Sequence, residues 1–338
     1  MSRLKKFLRS LAVILLIGGI VLFLLIRWSF EKVSLKEPRI FGVTYVAGFA
    51  EKFGMDRREV FLAILDELKA KYLRIPVYWD EAEPEDDHYD FSEVDWQLQE
   101  AERRVAKVIL AIGRKLPRWP ECHEPPWVKS QNQDSKSQKL LEHLEVVVNR
   151  YKDHPALSRW QVENEPFLPF GEDCLLFGGG FLDRELELVK RLDAHHPIVV
   201  TDSGELSIWV RALKRADIFG TTMYRRVWNE NLGYFTYPLP PGFFRVKRAI
   251  AEFFVGPKPM FVSELQLEPW GPKLLYETPL EESLSRFGTS TFRENIEYAK
   301  KSGFDEFYLW GVEWSYWLKL QGHPEMWEEA RKIIQSVP

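Results

Sequence analysis

The chain has 338 residues and a formal net charge of -4, and no basic run is long enough to track a phosphate backbone, which excludes nucleic-acid binding driven by a basic surface. Aromatic residues are 14% of the chain and include 13 Trp. Ordinary burial uses about half of these, and the remainder suit a cleft that stacks flat, weakly polar rings.

Arg3, Lys5, Lys6 and Arg9 precede an uninterrupted apolar run over residues 11–26. With Phe7 and Leu8 it approaches the roughly 20 residues that cross a bilayer. Cations on the N-terminal side favour a cytoplasmic N-terminus, and Trp28 suits the far interface. The next residues, Arg27, Trp28, Ser29, Phe30 and Glu31, offer no small-residue cleavage site. Residues 1–27 are therefore expected to be a cytoplasmic stub and an uncleaved transmembrane signal anchor, with the rest outside the cytoplasmic membrane. Residues 28–38, closed by Pro38, read as a tether. Cys122 and Cys174 are the two cysteines. An exported chain permits a disulfide, isolated thiols fit equally well, and two cysteines cannot make a four-ligand zinc site.

In chain order, residues 40–45 form the first expected strand, followed by a helix over 56–70 in which Val60, Ile64 and Leu68 keep a four-residue spacing. A strand at 72–77, a helix at 92–104 and a strand at 106–112 continue the alternation. The loop over 113–134 is too long for a bare connection and reads as functional; it carries Trp119, His123 and Trp127. A helix at 137–152 leads to a strand at 158–165. Pro166 cannot donate to a ladder and biases Glu165 toward extended backbone, so the strand should stop there. A second long loop covers 166–180, then a helix at 182–193, a strand at 198–201, a helix at 206–214 and a strand at 218–224. An irregular aromatic loop reaches residue 242, followed by a helix at 243–254, a strand at 260–264, a long loop, a helix at 292–302, a strand at 306–310 and a helix at 325–334. Eight strand and helix pairs predict an α/β fold, a (β/α)8 TIM barrel over residues 39–338 behind the N-terminal transmembrane helix. A dinucleotide-binding fold is excluded because no glycine-rich turn follows the first strand; Gly178, Gly179 and Gly180 follow a long loop and read as a flexible turn.

The loops after the strands build the active face of such a barrel. Arg74 stands near the end of the second strand, Asn164 and Glu165 at the fourth, Tyr224 at the sixth, Glu264 at the seventh and Trp310 at the eighth. Glutamates on strands four and seven lie across the mouth from one another, placed to bracket a scissile bond. With Asn164, Glu165, Pro166 and with Phe261, Val262, Ser263, Glu264, the chain resembles the clan A glycoside hydrolases. These are retaining (β/α)8 enzymes that include cellulases, mannanases, xylosidases and β-galactosidases. Leu73, Arg74, Ile75, Pro76, then Tyr89, Asp90, Phe91, and then Leu309, Trp310, Gly311 add to the likeness.

The resemblance implies a hydrolase that cleaves a β-linked glycoside or polysaccharide by double displacement, without cofactor or metal. It makes Glu165 the general acid and base and Glu264 the nucleophile, sets Asn164 at the sugar 2-hydroxyl and puts Trp310 beneath the reacting ring. Arg74 and the Tyr224 hydroxyl would favour an ionised Glu264. Burial and the charge of Glu264, about 5 Å away, would keep Glu165 protonated. Trp119 and His123 are candidates for substrate contact, or equally parts of a rigid lid. A Cys122–Cys174 bond would tie the loops after strands three and four. Glu163 is expected to pair with a base such as Arg74, and Asp202, Glu205, Glu268 and Glu313 to be supporting or solvated groups. One local rule conflicts: side chains alternate along a strand, so Asn164 and Glu165 reach one site only if the strand ends or bulges between them. A transglycosylase remodelling an envelope glycan and a barrel that binds glycan without cleaving it remain open as alternatives.

Overall fold

Eight parallel strands close into one barrel: β1 (Ile40–Thr44), β2 (Tyr72–Pro76), β3 (Lys107–Ile112), β4 (Leu157–Val162), β5 (Ile198–Asp202), β6 (Ile218–Met223), β9 (Met260–Gln266) and β10 (Glu306–Trp310). Between β6 and β9, β7 (Arg226–Asn229) and β8 (Gly233–Thr236) form an antiparallel hairpin. The computed structural model describes residues 40–172, 174 and 178–336, together with Phe7, Gly19, Ile20, Leu24 and residues 27–29. Most of the expected membrane span, and the tether beyond Ser29, lie outside the described residues. Among the described residues no helix is long and apolar enough to cross a membrane.

The barrel strands are buried on both faces, as their near-continuous apolar sequences require; all of Val108, Ile109, Leu110, Ala111 and Ile112 on β3 are inaccessible. Helices cover the outside with one apolar stripe each. The helix Gly179–Leu192 buries Phe181, Leu182, Leu186, Leu188 and Val189, a pattern set by the 3.6-residue period. The helix Arg57–Asp66 begins where expected because the Asp56 carboxylate accepts from the amides of Arg58 and Glu59, satisfying two orphan donors of the first turn.

Inside the barrel, Ile109, Val199, Phe261 and Tyr308 form an apolar plug, and Arg159 pairs with Glu306 at 2.7 Å. The two rings need small neighbours. A Cβ on Gly42 would lie 2.7 Å from the Tyr308 ring, and one on Gly220 would lie 2.8 Å from Thr201 and 3.3 Å from the Phe261 ring. Above the plug the interior turns polar, with Arg74, Gln161, Thr201, Thr222 and Glu264 all buried.

The expected elements differ from the observed ones mainly at their ends. The loop expected up to residue 242 contains the β7–β8 hairpin, whose four-residue strands are too short and too exposed to show a clear apolar alternation. The fourth strand ends at Val162 instead of Glu165, and the seventh barrel strand runs on to Gln266. The helix expected at 206–214 is Val210–Arg215, preceded by turns. Short helices at Ala47–Lys52 and Leu280–Arg286, and the longer Val312–Leu320, were not expected from the pattern. Replacing Gly42 with alanine should lower unfolding free energy by about 1–3 kcal/mol, because its Cβ must displace the packed Tyr308 ring or the Tyr72 carbonyl. Denaturant titration measures this, and an unchanged midpoint would contradict the packing described.

Candidate active site

Arg74 occupies the centre of the polar layer, fully buried. Its Nε donates to Gln161 Oε1 at 2.7 Å, Nη1 to Glu264 Oε1 at 2.9 Å and Nη2 to Asn164 Oδ1 at 2.8 Å. The second oxygen of Glu264 accepts from the Tyr224 hydroxyl at 2.9 Å. Donors on both oxygens, one of them cationic, stabilise the carboxylate charge and fix its orientation. Regular alternation from Phe261, which points into the barrel, would turn Glu264 outward. The β6–β9 register slips by one residue between Thr221 and Thr222, so that Val262 and Glu264 face consecutive partners. This irregularity brings the glutamate inward.

Glu165 reaches the same space through a different break. Beyond Val162 the strand is abandoned, and Glu163 and Glu165 both take left-handed backbone, at φ 59 and 45. Side chains rarely accept that conformation without support, and each instance costs about 1–3 kcal/mol. The support is visible. The Asn164 amide donates to the Lys115 carbonyl and the Glu165 amide to Thr201 Oγ1. Lys115 Nζ donates to the carbonyls of Asn164 and Glu165 at 3.2 and 3.3 Å. The chain is thus irregular at Asn164 and Glu165, as expected, and both side chains reach the polar layer around Arg74 and Thr222. Glu165 Oε1 accepts from Thr222 Oγ1 at 3.1 Å. Burial, and next the charge of Glu264, push the Glu165 carboxyl well above the usual carboxylate range, against the opposing pull of Lys115. The two glutamates thus sit in different surroundings, Glu264 between a cation and a hydroxyl donor and Glu165 in a buried pocket that favours its protonated form.

Glu163 does not pair with Arg74. Its oxygens accept from the backbone amides of Arg114 and Lys115, both at 2.7 Å, because the left-handed turn swings it away from the barrel axis. It clamps the start of the loop after β3 to the end of β4. Gly113, at φ 131, leaves the room this needs, since a Cβ there would lie 2.5 Å from Glu163 Oε1. Behind Glu163 lies Glu185, raised well above the carboxylate range by burial and by the charge of Glu163.

The loop after β3 is bonded to the loop after β4 by the Cys122–Cys174 disulfide. His123 is buried, stacks on Tyr78 at 3.8 Å and hydrogen-bonds with the Arg118 carbonyl. It braces the loop, and burial lowers its pKa. Trp119 is 47% exposed and begins a chain of ring contacts through Phe170 and Trp270 to Tyr224. These rings form an aromatic flank that reaches Glu264 through the Tyr224 hydroxyl. Trp310 stands at the rim as expected, its Nε1 donating to Glu268. One face of its ring, however, carries the Arg118 guanidinium at 4.0 Å, which also covers Phe49 and pairs with Glu268 and Glu313. Of the remaining carboxylates, Glu313 accepts from the Val46 amide and is pushed up to about 7 by burial. Glu205 accepts from the Tyr224 amide and is pushed up to about 8 by burial. Asp202 accepts from the Ser203 amide. All three act as supports.

Pattern reading missed Gln161, Thr201, Thr222, Lys115, Arg118, Glu121 and Trp270. The two threonines and Gln161 carried a usable signal, being polar residues at the C-terminal ends of otherwise apolar strands. For Glu185, whose folded pKa lies above its unfolded one, stability is fully present below the unfolded carboxyl pKa of about 4.3 and falls as pH rises toward the folded value. Glu185→Gln has no such ionisation, so its melting temperature should decline less than the wild type's between pH 5 and pH 9. Parallel melting curves for the two proteins over this range would contradict the buried protonated carboxyl.

No family model matches the chain, and no curated protein matches it by sequence. Solved structures match its fold. It is similar to an exo-β-1,4-mannosidase, Op5Man5, from Opitutaceae bacterium strain TAV5, with TM-score 0.60 and 13% identity over 88% of this chain and 59% of that one. It therefore spans less than two thirds of the mannosidase. It is also similar to a GH5_18 protein from Streptomyces cattleya solved with GlcNAc, with TM-score 0.59 and 14% identity over 90% and 82%. Xylanase 10B from Thermotoga maritima aligns with TM-score 0.53 and 15% identity over 80% and 82%. What the chain shares with these three proteins at such identities is the fold, an eight-stranded parallel barrel.

Proposed function

We propose that the chain is a membrane-anchored retaining glycoside hydrolase that cleaves a β-linked glycoside or polysaccharide. The observation that carries this reading is the pairing of a Glu264 carboxylate cradled by Arg74 and Tyr224 with a buried Glu165 carboxyl held protonated. In the first step Glu264 attacks the anomeric carbon and the bond to the leaving oxygen breaks as Glu165 gives that oxygen its proton. A glycosyl ester on Glu264 results. In the second step Glu165, now a base, takes a proton from water, which attacks the same carbon and restores both groups. Asn164, its Oδ1 fixed by Arg74, Gln161 and Thr201, would present its amide NH2 to the sugar 2-hydroxyl. The fold shared with a mannosidase and a xylanase is consistent with this chemistry.

Anchoring rests on the cations and apolar run at the N-terminus. It is supported by the exit of that run, where the Trp28 carbonyl accepts from Arg245 Nη2 at 3.0 Å on the helix Phe243–Val255. The same helix leaves Ile250, Phe253 and Phe254 exposed, Phe253 at 83%, as suits a surface close to lipid. In this reading the barrel stands outside the cytoplasmic membrane. Full-length protein should sediment with membranes and resist extraction by salt and alkali; release by alkali alone would rule the anchor out.

Glu264→Gln should reduce turnover of every glycoside by about 10,000-fold or more. Glu165→Ala should cost about 100- to 10,000-fold on natural glycosides while sparing glycosylation by aryl glycosides with good leaving groups. The kcat/KM of the wild type should fall as pH rises through the elevated Glu165 pKa, and Glu165→Ala should lose that alkaline limb on activated substrates. Wild-type turnover in Glu264→Gln would end the proposal.

A further inference from the structure

Glu121 is a third carboxylate at the catalytic pair, and the double displacement leaves it without a task. Its backbone is fixed on several sides. It lies at φ 75 beside Cys122 of the disulfide, its amide donates to the Arg118 carbonyl, and its carbonyl accepts from the Leu116 amide. A Cβ on Gly171 of the facing loop would come within 2.8 Å of the Glu121 Cβ. The side chain so placed is only 8% exposed; the charge of Glu264 opposes its ionisation, while Lys115 and a hydrogen bond from the Asn164 side chain favour it.

One oxygen of this carboxylate, Oε2, has no hydrogen-bond partner among the described residues. It pairs with Lys115 Nζ across a long 3.5 Å, while the closer hydrogen bonds of that amine go to the Asn164 and Glu165 carbonyls. A buried carboxylate met only by so long a contact keeps acceptor capacity that a closer ligand donor would use on binding. Burial also pushes the group up to about 7, so it would be partly ionised near neutrality and strengthened as an acceptor by a bound donor.

We infer that Glu121 is a substrate-binding carboxylate that accepts a hydrogen bond from a hydroxyl of the sugar ring seated against Glu264, next to the hydroxyl met by Asn164. This rests on the hydrolase reading and deepens it. The cleft selects glycosides with that hydroxyl free and rejects those deoxygenated or acylated there. A site built to hydrogen-bond a hydroxyl discriminates strongly against analogues lacking it, because its own polar group is then left unpaired.

The test uses full-length protein in detergent, the nitrophenyl β-glycoside it cleaves fastest, and singly deoxygenated analogues of that sugar. Glu121→Gln and Glu121→Asp, both checked by thermal melting, should lose about 10- to 100-fold in kcat/KM on the parent glycoside. For one deoxy analogue the wild type should already show that loss, and neither variant should add to it. The aspartate variant keeps a charge opposite Lys115, so a role limited to neutralising Lys115 predicts near-wild-type activity for it. Equal losses on every analogue, or near-wild-type activity in Glu121→Asp, would overturn the assignment of Glu121 alone. Wild-type turnover in Glu264→Gln would instead overturn the hydrolase reading beneath it.

Discussion

A guanidinium buried in the mouth of a barrel cannot shed its proton, and so it dictates what surrounds it. Arg74 directs its hydrogen bonds to Gln161 on β4, Asn164 just beyond that strand and Glu264 on β9. Breaking such a buried pair by removing one partner typically costs about 3–5 kcal/mol, because the remaining charge stays desolvated. The ion pair and its companion bonds therefore orient Glu264 and the Asn164 amide together. Gln161 and Thr201 complete the set by also donating to Asn164 Oδ1, which fixes the orientation of that amide.

The second constraint is the broken strand. A regular β4 would have sent Asn164 and Glu165 to opposite faces. Two left-handed residues solve that problem at a cost in backbone strain, and the neighbouring strands and loop supply the hydrogen bonds that hold them. Glu163 is the hinge of this arrangement. Turned outward, it binds two amides at the start of the loop after β3, the loop that the disulfide later joins to the one after β4. The site is thus precise because two long loops are sewn to each other and to the strand ends. This is the rigid support that a preorganised constellation needs.

The barrel and the two glutamates were legible in the sequence because both rest on strong periodic signals. Eight apolar runs alternate with helical stripes, and charged residues stand where those runs stop. Strand order put Arg74 and Tyr224 on the same rim as Glu264, and the resemblance to clan A glycoside hydrolases suggested what they would do there. What stayed hidden depends on local backbone geometry. The partner of Glu163 could not be foreseen while its parity placed it inward, and the role of His123 turned on which way a twenty-residue loop folds back. Arg118 and Glu121 take their buried places only through left-handed turns in that loop. The β7–β8 hairpin was hidden for a simpler reason, since neither of its strands buries enough to show a period.

The central claim is a double displacement, in which the product keeps the configuration of the substrate. Proton NMR of the sugar released from a β-glycoside in the first minutes, before mutarotation, reads this directly. The account predicts that the β-anomer appears first and the α-anomer grows in later. An α-anomer appearing first would mean that water attacks in a single step, and would contradict a covalent role for Glu264.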